Sequence, residues 1–392
     1  MIRFTMMCSL LFVCFFTTKQ NYQSQVYINT AISATLPLVE STMSGHCTSP
    51  SNPAITDPYQ HLQIIPNPDG TITRDPDRFP NSSPSPDPTD PTPVLSKDMI
   101  INRSKKTGVR IFLPRQAIVD SSSTNKLPLI VYFHGGGFIN CSASSTVFHD
   151  FCSNMVLDLH VVIVSVDYRL VPEHRLPAAY DDAMEVLRWI KTTQEDWLRG
   201  YVDYTRCFIM GSSAGANTAY HAGLCASQEA DDLVPLKIKG LILHHPFIGG
   251  VQRTGSEVKL VNEPHLPLCV SDLMWSLALP LGADRDHEYC NPMVGGGSKL
   301  WKNVGLLGWK VMVTGCDGDP MIDRQMEFVD MLVTKDVKVV SHFSTGGYHV
   351  VELKEPFKAE ALHALLKDFM LDAPAAWGNG VLMAIFFNKF CK

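Results

Sequence analysis

Cys207-Phe208-Ile209-Met210-Gly211-Ser212-Ser213-Ala214-Gly215 is the stretch that decides how this 392-residue chain folds. Four apolar residues run straight into a Gly-x-Ser-x-Gly pentapeptide, and a helical pattern from Ala214 to Ser227 begins at once. A serine between a strand and a helix sits on a sharp turn, and glycines two positions to either side keep neighbouring backbone from clashing. The helix that follows aims its unpaired N–H groups and positive dipole end at charge developing near that serine. Taken alone, the same five residues read equally well as a serine capping a helix.

The chain around it carries the decision. Leu129 to Phe133 and Val161 to Val166 are continuous apolar runs, β-branched as central parallel strands are. Ile238 to Leu243, Lys310 to Thr314 and Lys338 to Phe343 continue the series. Helical windows lie between: Tyr180 to Lys191, Ala214 to Ser227, Pro320 to Thr334 and Pro356 to Leu371. Strands alternating with crossover-length helices predict an α/β fold, a mostly parallel sheet covered on both faces. Ligands of such sheets bind beyond the carboxyl ends of the strands. The catalytic unit spans residues 97–371, and a stretch of about 251–309 that breaks the rhythm is expected to form a cap over the site. Residues 43–96, dense in Pro, Asp and Ser, read as an arm with little regular structure that contributes to the cap.

A second glycine cluster, His134-Gly135-Gly136-Gly137-Phe138, follows the strand ending at Phe133. Successive glycines let main-chain N–H groups approach a ligand closely, and no Lys-Ser/Thr follows to make this a phosphate loop. An oxyanion hole from the N–H groups of Gly135, Gly136 and Ala214 fits better. A serine nucleophile needs a base and an acid, which follow it in that type of sheet in the order acid, then histidine. The loop Gly315-Cys316-Asp317-Gly318-Asp319-Pro320 offers two carboxylates, and Gly346-Gly347-Tyr348-His349 offers an imidazole. Asp319 also reads as a helix cap and His349 as a loop histidine, but each falls after its own strand in the expected order. His342 lies within a strand, and His244 and His245 come too early to be the base.

These motifs, together with Asp167-Tyr168-Arg169-Leu170-Val171-Pro172-Glu173-His174 and His244-His245-Pro246-Phe247, resemble the plant carboxylesterases of the hormone-sensitive-lipase group. The likeness covers roughly residues 55 to 371. It implies the α/β-hydrolase fold and a serine esterase that cleaves a small carboxylic ester through an acyl-enzyme. It assigns nucleophile, acid and base to Ser213, Asp319 and His349, and an oxyanion motif to His134, Gly135 and Gly136. Two positions depart from the pattern: Ser212 replaces the common Asp before the nucleophile, and Val350 the common Gly after the histidine. The same group includes a hormone receptor without the catalytic histidine and a dehydratase that reuses the triad. His349 argues against the receptor and Ser213 against the dehydratase. No metal or organic cofactor is implied, since the chemistry needs only water.

Composition narrows the partners. With 45% hydrophobic and 18% charged residues and a net charge of −6, the chain suits a large core and not a phosphate backbone. The expected partner is a small-molecule ester, with neither nucleic acid nor stable membrane insertion, and the sequence is silent on oligomeric state. Eleven cysteines without a Cys-x-x-Cys pair suggest free thiols in a reducing compartment, hence the cytoplasm. The apolar run Met6 to Phe16 looks like a signal-peptide core but lacks a small-x-small cleavage site. Residues 1–42 are therefore expected to be an extension outside the fold, with a second start at Met43, and residues 372–392 an irregular tail.

Overall fold

Along Leu129–Phe133, alternate side chains enter two separate apolar layers. Leu129, Val131 and Phe133 pack with Val164, Ile209 and Leu243 on one side, while Ile130 and Tyr132 pack with Ile163, Met210 and Ile242 on the other. Side chains that alternate in direction yet are apolar throughout require cover on both faces. The computed structural model, which describes residues 57–119 and 125–371, provides that cover. Its strands are β1 (Ile64–Pro66), β2 (Ile72–Arg74), β3 (Val94–Asn102), β4 (Thr107–Pro114), β5 (Leu127–Phe133), β6 (Val162–Asp167), β7 (Val202–Ser212), β8 (Ile238–His244), β9 (Lys310–Cys316) and β10 (Lys338–Ser344). Eight of them form one sheet in the order β10-β9-β8-β7-β5-β6-β4-β3, parallel except where β4 meets β3 and β6. Phe148, Phe151 and Met155 of helix Thr146–Leu159 and Leu362, Leu366 and Phe369 of helix Pro356–Leu371 fill one face. Helices Ala178–Thr192, Ala214–Gln228 and Ile322–Thr334 fill the other.

Register places the catalytic loops. Phe133 pairs with Gly211, Ser212 with His244, and His244 with Thr314, so β5, β7, β8 and β9 end nearly level. Phe343 pairs with Gly315 and Ser344 with Cys316, which brings the end of β10 to the same edge. The chain passes from β6 over β5 to β7, and the crevice at that reversal lies between the glycine loop and the serine turn.

The insertion is helical, with Gly255–Lys259, Leu268–Ala278 and Trp301–Leu306. Among its ties to the body, Arg175 donates to the carbonyls of Ser276 and Leu279, the Leu176 N–H donates to that of Ala278, and Arg324 pairs with Glu257 at 2.9 Å. The arm differs from expectation. Within residues 57–96 it forms a helix, Pro58–Leu62, a β1–β2 hairpin and the start of β3. Asp57 caps that helix by accepting from the N–H groups of Tyr59 and Gln60. The hairpin turns at Asn67-Pro68-Asp69-Gly70, where Gly70 takes φ +85°, open to glycine at little cost. Polar, Pro-rich composition concealed three short elements held by caps and turns. The helix packs against Leu268–Ala278 of the insertion. Helix Thr146–Leu159 was also unforeseen. The extension 1–42 and the tail 372–392 lie outside the described residues.

Candidate active site

The serine turn is fixed by space. Ser213 has φ 57° and ψ −121°, a conformation that a non-glycine residue holds only when its surroundings demand it. A Cβ on Gly211 would lie 2.0 Å from the Gly215 carbonyl oxygen, and one on Gly215 2.0 Å from that of Phe133. No side chain fits either place. The Ser213 N–H donates to the His244 carbonyl, and its own carbonyl accepts from Ala216, Asn217 and Phe247. The hydroxyl thereby stands at the mouth of the crevice.

His349 Nε2 lies 2.8 Å from Ser213 Oγ, and its Nδ1 lies 2.8 Å from Asp319 Oδ2. A carboxylate only accepts, so Nδ1–H donates to Asp319 and Nε2 is left to accept the serine proton. Asp319 is fully buried and both its oxygens are used. Oδ1 accepts from the Met321 N–H, and Oδ2 also accepts from Gln325 Nε2–H and the Nδ1 of His245. Burial alone would raise this carboxyl, but the two histidines hold it far below the usual carboxylate range. Asp319 is thus both helix cap and partner of His349. Asp317, two residues earlier, is exposed and accepts from the Gly346 N–H at 2.7 Å, bracing the loop that carries His349.

Beside the serine, a Cβ on Gly135 would meet the Ser213 Cβ at 3.3 Å and the Ser212 carbonyl oxygen at 3.0 Å. The glycine loop therefore abuts the nucleophile. Among the described residues, the N–H groups of Gly135, Gly136 and Ala214 have no internal acceptor. His134 serves the loop differently. Its Nδ1–H donates to the Gly135 carbonyl and its ring stacks on Tyr168 at 4.3 Å, while burial pushes its pKa down to about 4. The neutral ring shapes the turn and does not face the crevice as a charge. Asn140 is only 5% exposed, which leaves its sequon little surface for a glycan. The cap reaches the site twice. Met274 fills the space a Gly137 side chain would take, and His265 stacks on Tyr348 at 3.7 Å, one residue before His349.

Sequence reasoning set aside His244 and His245 and did not consider Glu352. All three are buried directly behind Asp319. His245 Nδ1 is 2.9 Å from Asp319 Oδ2, and its Nε2 is 3.3 Å from Glu352 Oε2, which also lies 3.1 Å from His244 Nε2. The signal available was position: two histidines at the end of a strand lying between the serine's strand and the acid's strand.

Comparison with known proteins gives the family. The family profile for the alpha/beta hydrolase fold matches residues 130–353. Carboxylesterase 20 of Arabidopsis thaliana is 49% identical over 317 residues, covering 81% of this chain and 97% of that one. A 3-O-acetylpapaveroxine carboxylesterase of Papaver somniferum is 46% identical, covering 81% and 98%. The chain belongs to the plant carboxylesterases of the α/β-hydrolase fold. Among solved structures, the hyperthermophilic esterase of Pyrobaculum calidifontis superposes with a TM-score of 0.57 at 25% identity, covering 71% of this chain and 82% of its own. Like other carboxylesterases, this one is a carboxylic ester hydrolase, and its substrate is a small-molecule ester. Among its described residues no helix is long and apolar enough to cross a membrane.

Proposed function

We propose that Ser213 is the nucleophile of this esterase, His349 its general base and acid, and Asp319 the carboxylate that holds His349 in the useful tautomer. One observation carries the reading: the unbroken 2.8 Å contacts from Ser213 Oγ to His349 Nε2 and from His349 Nδ1 to Asp319 Oδ2. As Ser213 Oγ bonds to the ester carbonyl carbon, its proton passes to His349 Nε2. The carbonyl oxygen becomes an oxyanion facing the N–H groups of Gly135, Gly136 and Ala214, which need not reorganise to receive it. His349 then returns the proton to the departing alkoxide, leaving an acyl group on Ser213. Water attacks that acyl-enzyme by the same route and releases the acid. Asp319 stays ionised throughout and offsets the charge on His349.

Ser213→Ala is expected to lower turnover of p-nitrophenyl acetate by on the order of 10⁶. Ser212→Ala should keep a sizeable fraction of the activity, because Ser212 Oγ is engaged with Tyr132 and His244 and turned away from the base. Wild-type turnover in the Ser213 variant would refute the assignment. We also assign the enzyme to the cytoplasm, in keeping with the buried thiols of Cys152, Cys207 and Cys290. Accumulation of a fluorescent fusion in the secretory pathway would contradict that.

A further inference from the structure

Two carboxylates, Asp319 and Glu352, are buried within one cluster, and His245 lies between them. The protons around it can be assigned one by one. Tyr132 O–H donates to Ser212 Oγ at 2.8 Å, and Ser212 O–H to His244 Nδ1 at 2.8 Å. His244 is then neutral, as burial also favours, with its single proton on Nε2 donated to Glu352 at 3.1 Å. On the other side, His349 spends its one proton on Asp319 and keeps Nε2 free for Ser213. His245 has no such freedom. With a proton on Nε2 alone, its Nδ1 lone pair would oppose Asp319 Oδ2 at 2.9 Å; with one on Nδ1 alone, its Nε2 lone pair would oppose Glu352 Oε2 at 3.3 Å. The Val350 N–H approaches Nδ1 at 3.3 Å, a longer contact than that to Asp319. Nε2 makes no hydrogen bond, so Glu352 meets the ring by charge at 3.3 Å, and an imidazolium suits both acids where a neutral ring does not.

We propose that His245 is a positioning residue for ester cleavage, a buried imidazolium that lies between Asp319 and Glu352 and clamps the Asp319 carboxylate in place for His349. The inference rests on the triad assigned above. Burial opposes the charge on His245, but the hydrogen bond to Asp319 and attraction from Asp319 and Glu352 outweigh it and lift the ring to about 9. The ionisable groups facing it are Asp319 from the end of β9, His349 and Glu352 from the chain after β10, and His244 beside it. Cys316, near the two carboxylates, is pushed up to about 12 by burial and stays neutral. Ser212 gains a reason here as well. A carboxylate at that position would face His244 and add a third negative charge to a cluster that holds one cation.

In His245→Asn the side-chain N–H₂ takes the place of Nδ1–H, still donating to Asp319 but carrying no charge. With the donor kept, kcat for p-nitrophenyl acetate should stay within about tenfold of the parent, whereas His245→Leu, which removes the donor, should lower kcat at least about 100-fold with KM little changed. A merely structural role would lower the melting temperature of His245→Leu and leave kcat per folded enzyme in place, and that outcome overturns the proposal. Nitrogen-15 histidine spectra of the unaltered enzyme decide the matter without a variant. The proposal expects His245 protonated on both nitrogens at pH 7.5 and losing one proton near pH 9, and a neutral single tautomer at pH 7.5 overturns it. Absence of ester turnover by the unaltered enzyme would count against the triad assignment, and the spectra would still decide the state of His245.

Discussion

The serine turn and the acid–base cluster lie a few ångströms apart, yet opposite physics holds them. At Ser213 the constraint is room: a Cβ on Gly211 or Gly215 would lie only 2.0 Å from a backbone carbonyl oxygen, and the serine turn is held in a strained backbone. At Asp319 the constraint is charge. Carboxylates and imidazoles from β8, the loop after β9 and the chain after β10 meet in a buried space, and each contact depends on where a proton sits. The first region tolerates no added atom but is indifferent to pH. The second accepts changes of shape better than changes of proton count. An enzyme built this way aims its nucleophile by sterics and tunes its base by electrostatics.

Three substitutions probe that contrast, from the one that damages both fold and turnover to the one that barely changes either. Gly211→Ala forces a Cβ into backbone atoms of Gly215 and Ala216 that cannot retreat without opening the turn. Its melting temperature should fall by on the order of 10 °C and its ester turnover by at least about 10³-fold, at every pH tested. A folded, active Gly211→Ala enzyme would show that the turn is held by something other than space. Asp319→Asn changes charge at nearly constant shape and keeps the cap on Met321. Its kcat should drop roughly 10⁴-fold at matched folded fraction, because the amide favours the wrong tautomer of His349. Asp317→Asn, an exposed group that only braces Gly346, should cost less than about tenfold. Reversal of those two results would move the acid to the other carboxylate.

Val350 lies where the two regimes meet and gives the smallest effect. It follows His349 at φ 53°, a left-handed conformation that costs a β-branched residue about 1 kcal/mol or more. Val350→Gly removes that strain, and the greater freedom of glycine in the unfolded chain takes back part of the gain. The melting temperature is expected to rise by ~1–2 °C in a thermal scan, with kcat/KM within about threefold of the parent. A fall of several degrees would mean that the half-buried isopropyl group contributes more than its backbone strain costs.

The same contrast explains what the sequence disclosed. Steric requirements are local, so Gly211-x-Ser213-x-Gly215 and His134-Gly135-Gly136-Gly137 could be read as turns from their neighbours alone. The order of Ser213, Asp319 and His349, each after an apolar strand, was legible because parallel strands present their ends on one edge. His245 and Glu352 were not, since no motif ties either to Asp319; the register of β8 between β7 and β9 brings His245 there, and Glu352 reaches it three residues beyond His349. The edge strand β3 and the short elements of residues 57–96 escaped for another reason. They are edge and turn structures, secured by the Asp57 cap and hydrogen bonds to the body, such as Arg74 to Glu173 and Ile139, that leave no apolar period to read.

The central claim, that ester cleavage passes through an acyl group on Ser213, is tested most directly by trapping it. Incubating the enzyme with a fluorophosphonate ester and digesting it for mass spectrometry should give one stoichiometric adduct on the peptide containing Ser212 and Ser213. Fragmentation should place it on Ser213, and loss of ester turnover should track its formation. An enzyme that hydrolyses p-nitrophenyl acetate but forms no adduct, or carries it on Ser212 or elsewhere, would contradict the account.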